Sequence, residues 1–412
     1  MIEPHVAEKS STFKKAELIM LITLATAQFT HNVDFMLLMP LSSQLMAEFG
    51  VGASKYALLV SVYTFSAAIS GIGSAFFIDR FERKRALLVV YGGLLIATTL
   101  CALSNSYMLL LAARIVAGAF GGVLGALILA VISDAIPLSR RARAISMNTA
   151  AFSAAAALGI PFSLYLATLH TWNTPFYVLS GLGVVIMVGI IRFVPTMDGH
   201  LDTKKAPGPA FATVVKMLRN KNRLIALAFI SLLVMGQFTV IPFIAPYLTL
   251  NVGFDGTELT LMYLIGGLAT VFSAPLIGSL ADRMGKQKVF RIVALFSVIP
   301  MLGITLTEAV PNFVLVYVVS TLFFILVRGR LIPATTLVTA TVESRQRGSF
   351  MSVVSSVRQL SNAIASLIGG LIIVQVGATS PILGYHWVGL LAVAFTLLAM
   401  LVSFRLKVTN TQ

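Results

Sequence analysis

The run Gly278-Ser279-Leu280-Ala281-Asp282-Arg283-Met284-Gly285-Lys286-Gln287-Lys288 lies between two long apolar stretches. A weaker copy, Ala75-Phe76-Phe77-Ile78-Asp79-Arg80-Phe81-Glu82-Arg83-Lys84-Arg85, occupies the same kind of place earlier. The two aspartates lie 282 − 79 = 203 positions apart, close to half of the 412 residues. This pattern predicts one membrane unit written twice, with a short charged hairpin at the same point in each copy.

Composition agrees with a membrane solvent. Hydrophobic residues make up 58% of the chain and charged residues 11%, with a mean hydropathy of +0.93. A soluble domain carries roughly 25% charged residues, so this chain lacks the polar surface to cover itself in water and takes lipid as its solvent. The net charge of +15 does not point to nucleic acid, because the basic residues sit between apolar spans and not along one soluble face. The one cysteine, Cys101, permits no intrachain disulfide and reads as a small core residue.

A spanning helix needs about 20 mostly apolar residues. The chain supplies twelve such stretches, at about 17–39, 54–78, 86–105, 108–133, 144–168, 173–194, 223–248, 257–281, 288–306, 311–338, 348–376 and 382–405. The expected fold is therefore all-α, with twelve transmembrane helices in two pseudo-symmetric six-helix bundles. Residues 1–194 form the first bundle, 195–222 a basic linker and 223–412 the second. The repeat extends past the hairpin. Gln28-Phe29-Thr30 recurs as Gln237-Phe238-Thr239, Pro40 as Pro246, and Arg143-Ala144 as Arg347-Gly348, at offsets of about 203–209. Lys14, Lys15 and Ala25-Thr26-Ala27 around a short apolar run mimic a cleavable signal. Cleavage would destroy the first span of the first copy, so that span is expected to stay.

Basic residues mark one side. Lys9, Lys14 and Lys15 precede the first span; Arg80, Arg83, Lys84 and Arg85 follow the second; Arg140, Arg141 and Arg143 follow the fourth. Lys204, Lys205, Lys216, Arg219 and Lys221 follow the sixth, Arg283, Lys286 and Lys288 the eighth, and Arg345 and Arg347 the tenth. Arg405 and Lys407 close the last span, whereas the opposite connections hold mostly Lys55 with Glu48, Asp255, Glu258 and Glu308. The positive-inside rule then places both termini in the cytoplasm.

Twelve spans in two halves, with Asp-Arg-x-Gly-Lys after the eighth and its degenerate copy after the second, resemble the major facilitator superfamily over essentially the whole chain. The second hairpin matches the family's loop motif almost position for position. The first has Ala75 and Glu82 where the motif has glycines. Arg114 to Gly118 is similar to the arginine-plus-glycine motif of the fourth helix in proton-linked members. Arg330-Leu331-Ile332-Pro333 and Arg347-Gly348 look like the sugar- and drug-efflux branch. The antiporter motif of the fifth helix is only partly present, as Gly159-Ile160-Pro161. The resemblance implies that helices 1, 4, 7 and 10 line a central cavity, that 2, 5, 8 and 11 rock, and that 3, 6, 9 and 12 face lipid. Alternating access between the halves would then move a solute.

Charges inside spans are costly, about 2.5–3.5 kcal/mol each on insertion scales, so they are the first site candidates. Asp34 lies about five residues from the outer end of the first span and Arg114 about six from the outer end of the fourth. At ~1.5 Å per residue the two share a depth and can pair if their helices adjoin. Asp34 is the first choice for a protonation site, and the same pair also reads as a static brace. His31, three residues earlier on the same face, can relay the proton or simply hydrogen-bond across the bundle. Arg328 and Arg330 lie ~200° apart round their helix, so at most one faces the cavity squarely. Arg330 is the expected one, joined by Arg358. Arg114, Arg330 and Arg358 against the single Asp34 make the cavity net positive, which suits a solute with an anionic group. Gln28, Asn32, Gln237, Thr239, Gln359 and Asn362 are uncharged groups able to bond a solute or a neighbouring helix.

The expected gate comprises Asp79, Arg80 and Arg83 with Asp134 on the first hairpin, and Asp282, Arg283 and Gly285 on the second. Asp79 can meet the positive end of the eleventh helix, and Asp134 can pair with Arg83 or Lys84. No Walker-type loop, zinc cluster or nucleophile triad appears, so neither an enzyme nor a cofactor or metal protein is expected. The expected function is proton-coupled antiport, an efflux of a small organic solute across a bacterial inner membrane by a monomer. Import of an anionic metabolite or siderophore-like carboxylate is the alternative within transport. A non-transporting membrane receptor or scaffold is the alternative of another class.

Overall fold

The computed structural model describes residues 13–74, 78–198, 220–307, 312–342 and 347–407, with the side chains of all but Asp79 and residues 347–349. Twelve long helices run through it. The first six are α1 (Lys15–Leu37), α2 (Ala53–Ser74), α3 (Arg83–Ala102), α4 (Tyr107–Ala135), α5 (Leu138–Leu169) and α6 (Thr174–Phe193). The second six are α7 (Lys221–Val252), α8 (Gly256–Met284), α9 (Lys286–Thr305), α10 (Phe313–Thr339), α11 (Arg347–Ile372) and α12 (Tyr385–Ser403). Among the described residues there is no strand, only one isolated bridge between Val374 and Leu383. Ten of the helices are long and apolar enough to cross a membrane; α1 and α11 fall short. These two carry the polar runs with Gln28, His31, Asn32 and Asp34, and with Arg358, Gln359 and Asn362. That composition suits helices facing a cavity more than lipid.

Local sequence sets the helix ends. Asp255 and Glu258 form a reciprocal cap at the start of α8, each carboxylate accepting the other's backbone N–H at 2.7 and 2.8 Å. Asn220 and Asn312 cap α7 and α10 by accepting first-turn amides. The fifth helix begins at Leu138, six residues before the expected start, because Pro137 supplies the N-cap. Arg140, Arg141 and Arg143 therefore ride on the first turns of α5 rather than in a loop.

The two hairpins differ for a backbone reason. Gly285 joins α8 to α9 at φ +92°, a conformation that requires glycine. In the first hairpin the chain instead makes a short 3₁₀ turn, Ile78–Arg80, and Glu82 sits at φ −58° as the N-cap of α3. The glycine that the first copy lacks is thus not needed. The Glu82 carboxylate accepts the amides of Lys84 and Arg85 and, across to the end of α6, that of Met197 at 2.7 Å.

Packing places two apolar cores side by side. One lies within α1–α6, around Leu24, Leu87, Leu124 and Ile190. Another lies within the second six helices and the residues after them, around Phe229, Phe290, Leu337 and Val354. A third spans both at the end away from the termini, where Leu37, Met46, Tyr56, Phe243 and Tyr385 meet. Exposed Val89, Ile96, Val185, Val188, Ile299 and Leu401 give α3, α6, α9 and α12 an apolar outer surface, as lipid contact requires. Within the first half α2 and α4 touch backbone to backbone. A Cβ at Gly118 would lie 2.2 Å from the Tyr63 carbonyl oxygen, and one at Gly122 2.3 Å from that of Ala67, so only glycine allows this approach.

Candidate functional site

The halves meet along two antiparallel helix pairs, α2 with α11 and α5 with α8. At the end away from the termini, Ser54 Oγ donates to the Gly370 carbonyl at 2.6 Å. There the Ala53 amide also donates to Gln375 Oε1 at 3.0 Å. On the other pair, Gly256 abuts Thr168 and Gly267 abuts Ala157. Between these seams lies a cavity of about 260 Å³, lined from α1, α5, α7, α8, α10 and α11.

The backbone is irregular at this cavity. After α1 the chain turns through Pro40 into the short helix Ser42–Phe49, and α5 widens into a π turn at Ala155–Gly159 just before Pro161. In α7 regular helix ends at Phe238 and resumes after Ile241–Phe243, where Pro242 has no backbone N–H to donate; in α10 it is interrupted at Arg330, ahead of Pro333. Met39, Pro40, Ala156, Ile241 and Arg328 at these breaks all line the cavity. Such irregular backbone is tolerated at membrane depth where it borders a cavity rather than lipid.

His31, Asn32, Gln237, Arg358, Gln359 and Asn362 line the cavity. Gln359 Oε1 accepts from Asn362 Nδ2 at 3.1 Å. Gln28 and Thr239 do not line it. Gln28 donates to Asn32 Oδ1 at 3.1 Å and its side chain turns toward Gly125 of α4, while Thr239 bonds back to the Met235 carbonyl of its own helix. Arg330 also proves misplaced. It is fully buried on the far side of α10, its Nη1 donating to Ser297 Oγ of α9 at 3.0 Å and Thr396 Oγ1 of α12 at 2.9 Å. Arg328, two positions earlier, takes the cavity place and lies over the ring of Phe152 on α5 at 4.1 Å. The fourth helix contributes no residue to the cavity lining, contrary to what the family resemblance implies; α5, α8 and α11 contribute alongside α1, α7 and α10.

Asp34 and Arg114 meet beside the cavity, buried from it. Arg114 Nη1 donates to Asp34 Oδ2 at 3.1 Å and to the Asp34 carbonyl at 3.2 Å; the two side chains are 1% and 2% exposed. Thr98 of α3 donates its hydroxyl to Asp34 Oδ1 at 3.0 Å, with the Leu94 carbonyl as competing acceptor at the same distance. The guanidinium lies over the Tyr63 ring at 4.3 Å, and Tyr63 Oη contacts His31 Nδ1 at 3.3 Å. A chain of contacts thus runs from the ion pair through Tyr63 to a cavity wall. Thr98, Tyr63 and Phe152 escape sequence reading. A threonine or aromatic in an apolar span is ordinary, and only its neighbours give it a role.

Of the gate residues, Arg83 Nε donates to Asp134 Oδ2 at 3.0 Å. Lys84 instead donates to the Ile191 carbonyl at 2.8 Å. Beside them Arg140 on α5 clasps Glu17 on α1 with two bonds of 2.7 and 3.0 Å, a pair the sequence did not suggest. Arg80, Asp282, Arg283 and Gly285 are exposed. The side chains of Asp79, Arg347 and Gly348 lie outside the described residues, as do Ala75 and Arg345.

Comparison with known proteins agrees with this architecture. The sequence profile of the Major Facilitator Superfamily matches residues 24–327 and, overlapping them, 227–412. The chain is 25% identical over 339 residues to a Bacillus subtilis (strain 168) protein described as the uncharacterized MFS-type transporter YfhI, with 81% of each covered. It is 20% identical over 277 residues to a probable sugar efflux transporter of Helicobacter acinonychis (strain Sheeba), covering 67% of this chain and 69% of that one. With the putative transporter AraJ of Escherichia coli (strain K12) it shares 23% identity over 294 residues, 68% of this chain and 70% of the other. Its fold matches, with a TM-score of 0.77 at 16% identity, the crystal structure of a bacterial homolog of the human lysosomal transporter Spinster in an inward-facing, unoccupied conformation, over 97% of this chain and all of that one. A profile that runs over most of the chain and a helical fold shared from end to end give one conclusion: the chain belongs to the Major Facilitator Superfamily, as a multi-pass membrane transporter of small solutes and not an enzyme.

Proposed function

We propose that this protein is a proton-coupled secondary transporter of the bacterial inner membrane, exporting a small organic solute by alternating access as a monomer. The observation that carries the coupling is the buried pair of Asp34 and Arg114 at 3.1 Å, with Thr98 on the second carboxylate oxygen. It is a titratable ion pair at membrane depth, beside the cavity and not open to it. Protonation of Asp34 would release Arg114, and Tyr63 and His31 would pass the change to the cavity wall. One proton moving down a ~150 mV gradient supplies about 3.5 kcal/mol, enough for several-hundred-fold accumulation. The export direction rests on the relatives named for sugar efflux.

In this reading residues 1–194 and 223–412 are the two rocking units and 195–222 the cytoplasmic linker, with both termini inside as the basic loops suggest. The seams closed at the end away from the termini support an inward-open state. The Arg83–Asp134 and Glu17–Arg140 pairs lie within the first unit on the termini face. There they tie α3 to α4 and α1 to α5 within that unit. Asp79 and Asp282 would latch the opposite state.

The test is solute-dependent proton flux in proteoliposomes loaded with a pH-sensitive dye, using a panel of anionic, neutral and cationic solutes. Proton movement against the solute indicates export by antiport; movement with it indicates the importer. If wild-type protein moves solutes at a rate indifferent to the proton gradient, the coupling proposal fails.

A further inference from the structure

Resting on the reading of the cavity as the solute site, we propose that Arg328 and Arg358 form the recognition site for the anionic group of a small aromatic or flat apolar solute, typically a carboxylate, and that binding draws Arg328 off the ring of Phe152. Both arginines line the cavity, one from α10 and one from α11, and no aspartate or glutamate lines it with them. Neither meets a carboxylate among the described residues. Asp34 of α1, buried beside the cavity, is already committed to Arg114 and Thr98. Two guanidiniums left without counter-charge at membrane depth are costly, and an incoming anion relieves that cost. Planar guanidiniums also bind carboxylates through paired N–H donors.

The rest of the lining states the other half of the solute. Phe35, Phe238, Tyr263, Phe323 and Phe324 enclose the same space, offering flat apolar faces beside the amides of Asn32, Gln237, Gln359 and Asn362. The volume of about 260 Å³ is below the ~300–1,000 Å³ of most ligand pockets, so the solute admitted in this state is small. The Arg328–Phe152 contact joins α10 to α5, that is, the second six helices to the first. An anion that competes for Arg328 therefore removes a link between the halves, so occupancy and relative movement of the halves are connected through one side chain.

The test uses three probes with one skeleton: 2-naphthoate, its neutral amide, and 2-naphthylmethylammonium. Binding to the full chain in lipid nanodiscs is read from naphthalene fluorescence, with empty nanodiscs as the blank. The carboxylate should bind about tenfold or more tightly than the amide or the cation, as charge-assisted hydrogen bonds require. Arg328→Gln and Arg358→Gln should each remove most of that preference, and the double variant all of it. Lysine at both positions should retain its direction, which separates charge from packing and guards against loss of fold. Phe152→Leu should tighten carboxylate binding by releasing Arg328. Equal affinity for the three probes, no saturable carboxylate binding, a cation bound best, or a preference that survives in the double glutamine variant would each overturn the proposal. The binding measurement uses no gradient. Charge preference without solute-driven proton flux would sink the coupled-transport reading and leave the anion site standing; flux without charge preference would do the reverse.

Discussion

Replacing Asp34 by asparagine keeps the shape of the side chain and removes its charge. At 3.1 Å and an effective dielectric near 20, a pair of unit charges attracts by about 5 kcal/mol, before the cost of taking both out of water. Uncoupling a buried pair by removing one partner costs about 3–5 kcal/mol in measured cases. The asparagine amide oxygen still accepts one neutral hydrogen bond, worth ~1 kcal/mol. Arg114 also keeps the backbone carbonyl of position 34 at 3.2 Å and the face of Tyr63 at 4.3 Å. Subtracting the retained hydrogen bond leaves about 2–4 kcal/mol of destabilisation for Asp34→Asn. Arg114→Gln should cost a similar amount, and the double variant less than the sum, by about 2 kcal/mol. The chain carries its own reporter. Cys101 is the single cysteine and has no exposed surface, so a thiol-reactive fluorogenic dye reads unfolding directly. An Asp34→Asn protein within about 0.5 kcal/mol of wild type at neutral pH would mean that the carboxyl is not a charged partner of Arg114 in this state. Strict additivity in the double variant would refute the pairing itself.

Gly118→Ala and Gly122→Ala each place a methyl group against a backbone oxygen of α2, at 2.2 and 2.3 Å; the same unfolding assay should show losses of about 1–3 kcal/mol. The Glu82 carboxyl feels burial, which pushes its pKa up, but the amides of Met197, Lys84 and Arg85 outweigh this and hold it below the ordinary value of 4.5. Its folded value being the lower one, the stabilisation is fully present above that ordinary value and is lost as pH falls through the folded one. The gap between wild type and Glu82→Ala should therefore be ~1 kcal/mol near neutrality and shrink on acidification. The Arg83–Asp134 pair is partly exposed, with side chains 10% and 38% accessible, so Asp134→Asn should cost only about 0.5–1 kcal/mol of stability. If the pair biases the gate, the labelling rate of Ser355→Cys, an exposed cavity-lining position, should change about two- to fivefold in a Cys101→Ser background. An unchanged rate removes Asp134 from the gate.

What could be read from the sequence follows the range of the forces involved. Spans, repeat and basic loops depend on hydropathy and count, which are local properties, and the helices fall close to where these place them. The pairing of Asp34 with Arg114 was legible because both residues are expensive in lipid and share a depth. The choice between Arg328 and Arg330 was not. Regular α-helical geometry puts them on opposite faces but does not say which face is inward, and the interruption at Arg330 is itself a product of Pro333 and the neighbours. Ser297 and Thr396, which hold Arg330, lie on helices distant in sequence. Glu82 looked like decay of a motif; the backbone at φ −58° shows a working N-cap where no glycine conformation is called for.

The arrangement separates two kinds of charge. The carboxylate and its arginine are buried beside the cavity, while the arginines that line it have no carboxylate partner among the described residues. Under the proposed mechanism neither ligand touches the other's site, so coupling must pass through a structure that both bias. The contacts available are specific: Arg114 on the Tyr63 ring, Tyr63 Oη on His31, and His31 in the cavity wall. On the solute side the bias acts through Arg328 and Phe152, which join the two halves. A proton worth about 3.5 kcal/mol at ~150 mV can shift a two-state equilibrium by a few hundredfold, comparable to the energy of one buried pair made or broken. Tyr63→Phe keeps the ring under Arg114 and removes only the contact to His31. If the coupling runs along this path, that variant should remain folded and bind solute while its proton flux per solute falls. Unaltered stoichiometry would show that the two sites communicate by movement of whole helices and not through His31.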